Sequence, residues 1–106
     1  MMSLKLKEAA RGFGAAGSEP RLEVLMALVR AGDDGLAVGQ IQELLQVPAS
    51  TLAHHLRSLA AAGLIEQEKL GRAVINRARF EHIEELAGFL LEECCMDAET
   101  AKKRTA

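Results

Sequence analysis

Apolar residues recur at helical spacing in five segments of the chain. In the second segment, four of them form one stripe between Ser18, a candidate N-cap, and Gly32, a candidate stop. Pro20 stands in the first turn of that segment, where proline is tolerated. The same spacing predicts the other four helices over residues 4–16, 38–46, 49–62 and 80–95.

A different pattern follows the fourth helix. Gly63 is a candidate stop for that helix, and residues 64–70 alternate from one side to the other as a strand does. Gly71-Arg72 is a turn signal, and residues 73–79 read as a return strand around Val74 and Ile75. The pattern therefore predicts a two-stranded hairpin with an arginine at its tip.

The third and fourth helices are separated only by Val47-Pro48, a break expected because proline disfavours helix in the residue before it. Two short helices joined by a tight turn and followed by a hairpin are typical of a winged helix-turn-helix. The predicted fold class is mainly α with a small β-hairpin (α+β), with five helices and a two-stranded wing. The helix-turn-helix spans 38–62 and the wing 64–79.

Composition fits one globular domain over residues 1–106. Hydrophobic residues make up 49% and charged residues 26% of the 106-residue chain, which argues against wholesale disorder. No apolar run approaches the roughly 18 residues that a membrane helix needs, and the N-terminus lacks a signal-peptide core. We therefore expect a cytoplasmic protein with no membrane partner, whose two adjacent cysteines are thiols.

Charge is distributed unevenly along the chain. The formal net charge is −2, but residues 50–79 carry +3 and residues 80–99 carry −7. The basic part holds the second helix of the helix-turn-helix and the wing, which favours contact with the phosphates of nucleic acid.

Direct readout of DNA requires polar side chains on the N-terminal part of the recognition helix, here residues 49–62. The outward side chains predicted to contact DNA are Ser50, Thr51, His54, His55 and Arg57. Arg72 at the wing tip is predicted to meet a phosphate or the minor groove. The alternative is that these residues form an ordinary solvated helix face and that Arg72 is an ordinary surface arginine.

Three stretches together resemble the ArsR/SmtB repressors: SEPRLEVL from Ser18, PASTLAHHL from Pro48 and AGLI from Ala62. The resemblance covers about residues 5–95. It implies a homodimeric winged-helix repressor that binds a near-palindromic operator in double-stranded DNA and leaves it when a metal or metalloid binds. It also implies that helices 4–16 and 80–95 form the dimer interface. Residues 97–106 are predicted to form a flexible tail.

Two sensor sites of that family lack their ligands in this chain. The stretch matching the family's Cys-Val-Cys box is Leu36-Ala37-Val38-Gly39, which carries no metal donor. His82 lies near one position of the zinc site on the last helix, but the partners eleven and fourteen residues on are Glu93 and Met96. We expect no zinc site there, because the histidine pair is missing and methionine is a poor zinc ligand.

The remaining donors are Cys94 and Cys95. Adjacent thiolates suit thiophilic ions, and FLLEECC from Phe89 resembles arsenite-responsive ArsR proteins with thiols at the end of the last helix. The resemblance implies As(III) or Sb(III) as inducer at Cys94 and Cys95, with no cofactor required for DNA binding. Members of that sub-group usually have a third cysteine in the tail, and residues 96–106 contain none.

Other interpretations of the pair remain open. Cys94 also falls on the apolar stripe and fits a buried core position. A thiol-oxidation switch or a response to another metal would use the same residues.

No catalytic constellation is apparent, so we do not expect an enzyme. The stretch Gly12 to Gly17 matches the dinucleotide fingerprint in letters, but it follows no predicted strand and opens no βαβ unit. The candidate function from another class is a winged-helix protein–protein interaction module without DNA recognition.

Overall fold

The computed structural model describes the backbone of residues 4–96 and the side chains of residues 4–92. The described helices are α1 (Leu6–Ala16), α2 (Glu19–Ala31), α3 (Val38–Leu45), α4 (Ala49–Ala61) and α5 (Phe80–Met96), with a 3₁₀ turn at Gly32–Asp34. The strands are β1 (Leu36–Ala37), β2 (Ile65–Leu70) and β3 (Ala73–Ala78). The winged helix-turn-helix predicted from the sequence is confirmed. The predicted tail, residues 97–106, lies outside the described residues.

The core is built from the apolar stripes of the helices. Helices α2, α3 and α4 pack together, and the first residues of the wing close the cluster. Helical spacing places the apolar residues of each helix on one side, so their burial stabilises the packing of all three. The side chains with no more than 1% exposure at this junction are Val24, Leu28, Ile41, Leu52, Leu59 and Leu64.

Helix α2 begins and ends where its sequence signals predict. Ser18 occupies the N-cap in an extended conformation, although its side chain makes no capping hydrogen bond, and Pro20 lies in the first turn. Gly32 ends the helix with a φ of 68°, in the region that side chains disfavour. The 3₁₀ turn at Gly32–Asp34 follows directly and leads into β1.

The sheet has one strand more than the sequence predicted. The hairpin of β2 and β3 forms as expected, with Ile65 opposite Ala78 and Leu70 opposite Ala73. Strand β1 then pairs with β3 in an antiparallel manner, which gives the strand order β1-β3-β2. A two-residue strand has no period of its own, so residue pattern could not reveal it.

Helices α1 and α5 lie side by side and leave apolar side chains uncovered. Gly12, from the stretch that resembles a dinucleotide fingerprint, lies within α1, and a Cβ there would meet the Leu86 side chain at 2.6 Å. This glycine therefore lets the two helices approach closely. Leu6 is 74% exposed, Leu90 54% and Leu91 58%.

No helix among residues 4–96 combines the length and the apolar character that crossing a bilayer demands.

Candidate nucleic-acid interface

The turn between α3 and α4 is tight because of two residues. Gln46 has φ 53° and ψ 47°, the left-handed conformation, and its amide nitrogen donates to the Gln42 carbonyl at 2.8 Å. Its side-chain Nε2 donates to the Glu43 carbonyl at 2.8 Å, so the glutamine caps the helix that it ends. Pro48 follows as the N-cap of α4. The predicted break at Val47-Pro48 is thereby confirmed.

One side of α4 is polar and exposed. Ser50, Thr51, His54 and Arg57 are all exposed, as the sequence predicted. His54 follows Ser50 by four residues and Thr51 by three, and Arg57 follows His54 by three, so the four side chains lie on one side of the helix. A hydroxyl pair, an imidazole and a guanidinium in this arrangement can bond to base edges and phosphates in a major groove. That these side chains contact DNA remains a prediction.

His55 does not belong to this stripe, and the prediction that it faces outward is wrong. Its side chain is buried, at 9% exposure, because consecutive helical residues point about 100° apart and it follows His54 on the inward side. Nδ1 of His55 is buried and has no hydrogen-bond partner among the described residues. Burial lowers the pKa of His55, and the charges of Arg21 and His54 lower it further.

The wing tip carries exposed cations. The turn between Leu70 and Ala73 is Gly71-Arg72, with φ 61° at Gly71, the first-position glycine of a type II′ hairpin turn. Arg72 is exposed at this tip, as expected. Lys69 is exposed on β2, two residues before Gly71. It was not among the residues predicted to contact DNA. The signal that pointed to Lys69 was the net positive charge of residues 50–79.

Arg77, another cation of the basic stretch, is engaged within the protein. Its Nη1 lies 2.7 Å from Oε1 of Glu68, and its Nε donates to the Asp33 carbonyl at 2.8 Å. The exposed lysine and arginine side chains of α4 and of residues 64–79 are therefore Arg57, Lys69, Arg72 and Arg79.

Helix α5 holds the residues considered as sensors. Cys94 and Cys95 fall in its C-terminal part, and their side chains lie outside the described residues. Nδ1 of His82 is 3.7 Å from Oε1 of Glu85, and Nε2 is buried without a partner among residues 4–92. Within the part of the chain that the structure describes, no three His, Cys, Asp or Glu residues are grouped to hold a metal ion. The metalloid site at the cysteines remains a prediction.

Comparison with known proteins places this geometry among regulators. The protein-family model described as a helix-turn-helix domain matches residues 17–68 of this chain. The uncharacterised HTH-type transcriptional regulator YbzH of Bacillus subtilis is 31% identical over 93 residues, covering 76% of this chain and 93% of that protein.

Solved structures show the same fold. An ArsR-like transcriptional regulator from Rhodococcus sp. RHA1 matches with a TM-score of 0.75 and 29% identity, over 93% of this chain and 88% of that one. The homodimeric winged helix-turn-helix DNA-binding domain Mb0332 of Mycobacterium bovis matches with a TM-score of 0.67 and 24% identity, over 90% of this chain and 83% of that one.

Proposed function

The chain belongs to the helix-turn-helix transcriptional regulators, and we propose that it is a homodimeric, ArsR-type repressor released from its operator by trivalent arsenic or antimony. The observation that carries the DNA-binding part is the exposed polar stripe of α4, followed in the chain by a wing with a cationic tip. The metalloid part rests on the two adjacent thiols of α5 and on the resemblance that they carry.

The DNA-binding part follows from shape and charge. A B-form major groove is about 12 Å wide and admits one α-helix, so α4 can present its stripe to base edges. Arg72 then reaches the backbone or the minor groove beside it, as wings do in this architecture. Affinity falls steeply as salt rises, since each phosphate contact releases a condensed counterion.

The dimer follows from the uncovered leucines of α1 and α5. Three large apolar side chains exposed by more than half are costly in water and fit an interface between identical copies. A two-fold pair would place the two α4 helices about one DNA turn, roughly 34 Å, apart on a near-palindromic operator.

Analytical ultracentrifugation tests the dimer directly. We expect a dimer at micromolar concentration, and a monomer for Leu91→Glu with an unchanged circular-dichroism spectrum. The matched control is Leu44→Glu, because Leu44 is 62% exposed on α3, outside the proposed interface. A wild-type protein that sediments only as a monomer at that concentration would remove the dimer from the proposal.

Metalloid binding acts by thermodynamic coupling. Trivalent arsenic bound to the thiols of Cys94 and Cys95 ties down the end of α5 and favours a dimer geometry in which the two α4 helices no longer fit both half-sites. A coupling of about 1–3 kcal/mol lowers the affinity for the operator between five- and roughly 150-fold. Trivalent arsenic prefers three thiolates, so either the two cysteines suffice or a small thiol from solution supplies the third ligand.

The test is fluorescence anisotropy on a duplex that the protein selects from a random pool, with and without arsenite under reducing conditions. We expect arsenite to release the wild type but not the Cys94→Ser, Cys95→Ser double variant, which binds the duplex normally. Release of the double variant would overturn the sensor assignment. Binding that ignores arsenite but responds to peroxide would replace the metalloid with thiol oxidation, and failure to select any duplex would favour a protein–protein module.

A further inference from the structure

One fully buried side chain at the base of the wing bonds to both neighbouring strands. Asn76 on β3 has 0% exposure. Its Oδ1 accepts from Nε2 of Gln67 on β2 at 2.8 Å, and its Nδ2 donates to the Leu36 carbonyl on β1 at 3.2 Å. Asn76 therefore connects all three strands of the sheet.

The opposite face of the wing base is held as well. Successive strand residues point to opposite faces, so Arg77 lies on the face away from Asn76. There it bonds to Glu68 on β2 and to the Asp33 carbonyl of the 3₁₀ turn. Both faces of the hairpin are thus bonded at its base to the segment that precedes α3.

The segment before α3 approaches Asn76 and Arg77 closely at Gly35. Gly35 has a φ of 66°, and a Cβ on it would lie 2.5 Å from the Asn76 carbonyl oxygen and 2.7 Å from Cγ of Arg77. Any side chain there would push β1 away from β3. The close approach matters because β1 contributes only two residues to the pairing, Leu36 opposite Asn76 and Ala37 opposite Ile75.

The tip of the wing has no comparable support. Residues 69–73 are exposed, and none of their side chains makes a hydrogen bond or ion pair with a described residue. The direction in which Arg72 projects is therefore set at the base. Asn76 and Arg72 are four residue steps apart, roughly 13 Å at about 3.3 Å per step. A rotation of about 10° at the base therefore moves the tip by roughly 2 Å. A shift of that size breaks a hydrogen bond to a phosphate.

We infer that Asn76 is a positioning residue for DNA binding: by tying β3 to β1 and β2 it fixes the direction of the wing, and Arg72 meets the operator already oriented. The inference rests on the proposed function of the wing. The amide of Asn76 can fix the direction of the wing because its hydrogen bonds require specific partners. An apolar side chain at the same buried position could pack in several arrangements.

The first experiment measures the slope of log affinity against log salt on the selected duplex. Arg72→Ala removes one cation per wing and lowers the slope by about one per wing, with affinity reduced about tenfold. Asn76→Leu keeps the branched shape of the side chain, carries no charge change and should lower the slope by the same amount. In the double variant, the second change should add little, because both changes remove the same contact. A wild-type slope for Asn76→Leu, or full additivity, would overturn the inference.

A second measurement does not depend on DNA. Spin labels at Ala61→Cys on α4 and Arg72→Cys at the tip, in the Cys94→Ser, Cys95→Ser background and diluted with unlabelled chain, report the distance between helix and wing. Asn76→Leu should broaden or shift that distance distribution. The matched control is Glu66→Gln, an exposed β2 residue that makes no hydrogen bond to Asn76.

If Asn76→Leu does not fold, Gln67→Ala removes one of the two bonds from an exposed position and should broaden the distribution to a smaller extent. An unchanged distribution would overturn the positioning role even if the protein binds DNA. A broadened distribution in a protein that selects no duplex would overturn the proposed function and leave the role of Asn76 in orienting the wing intact.

Discussion

The two faces of α4 differ in composition and in exposure, although each carries one histidine. His54 and His55 are neighbours with the same side chain, yet His54 is exposed on the polar stripe and His55 is buried towards the core. The cause is the rotation of about 100° between consecutive helical residues. The residue types on the outer face are not restricted by core packing. Those on the inner face must fit the neighbouring core residues.

The inner face also carries a buried polar atom, which is unfavourable for stability when it makes no hydrogen bond. Nδ1 of His55 is buried and has no hydrogen-bond partner within residues 4–92, and the other buried residues of the same helix are Leu52, Leu56 and Leu59. Substitutions on the inner face should therefore change stability, and substitutions on the outer face should change affinity. Four measurements test this separation, beginning with the largest expected effect.

Leu56→Ala tests the inner face. Leu56 is 2% exposed, so its truncation leaves a cavity and should lower the free energy of unfolding by about 2–5 kcal/mol. Denaturant unfolding followed by circular dichroism measures the change. Thr51→Ala on the outer face is the matched control and should stay within about 0.5 kcal/mol of wild type. Equal losses in the two variants would contradict the division of the helix into two faces.

Arg57→Ala tests the outer face. Loss of an exposed guanidinium from the stripe should weaken binding to the selected duplex by about 1–3 kcal/mol, roughly 5- to 150-fold, while the unfolding midpoint stays the same. Anisotropy titration measures the affinity. Arg57→Lys keeps the charge and separates a phosphate contact, which it largely preserves, from bidentate base recognition, which it loses. Unchanged affinity in Arg57→Ala would move the interface elsewhere.

His54→Ala should have a smaller effect on the same titration. The imidazole of His54 can contribute one hydrogen bond to DNA, so we expect affinity to fall by about 0.5–1.5 kcal/mol with no loss of stability. His55→Leu is the comparison on the inner face, and we expect it to leave DNA affinity unchanged because that ring is buried. A larger affinity loss for His55→Leu than for His54→Ala would reverse the assignment of the two faces.

The smallest expected effect is a pH dependence of stability from His55. Its pKa in the folded protein lies below the ordinary value of 6.5, because burial and the nearby charges of Arg21 and His54 disfavour the protonated form. The unfolded chain therefore takes up the proton first as the pH falls. Stability from this group is complete above pH 6.5, declines below it, and levels off once the pH is under the lowered folded pKa.

Unfolding midpoints measured from about pH 7.5 to 5.5 for wild type and His55→Leu isolate this contribution, because the carboxylates change little in that range. The wild type should lose stability relative to the variant as the pH falls. Parallel curves would show that the histidine titrates alike in the folded and unfolded states.

The sequence alone determined the local structure of this protein. Periodicity, Ser18, Pro48 and the glycines after α2 and α4 predicted every helix to within about two residues, since each signal acts through neighbours in the chain. The turn residues likewise predicted the wing, and the outward exposure of four of the five selected α4 side chains was correct.

Only the tertiary structure shows which side chains bond to distant parts of the chain and which are buried by them. Asn76 meets Leu36 forty residues away, and Arg77 meets Asp33 forty-four residues away, so no window of sequence contained either pair. Strand β1 exists because β3 is beside it, and His55 is buried because α2 lies against that side of α4. These contacts form only when the chain packs. Residue type alone therefore did not predict that Asn76 and Arg77 bond to distant segments or that His55 is buried.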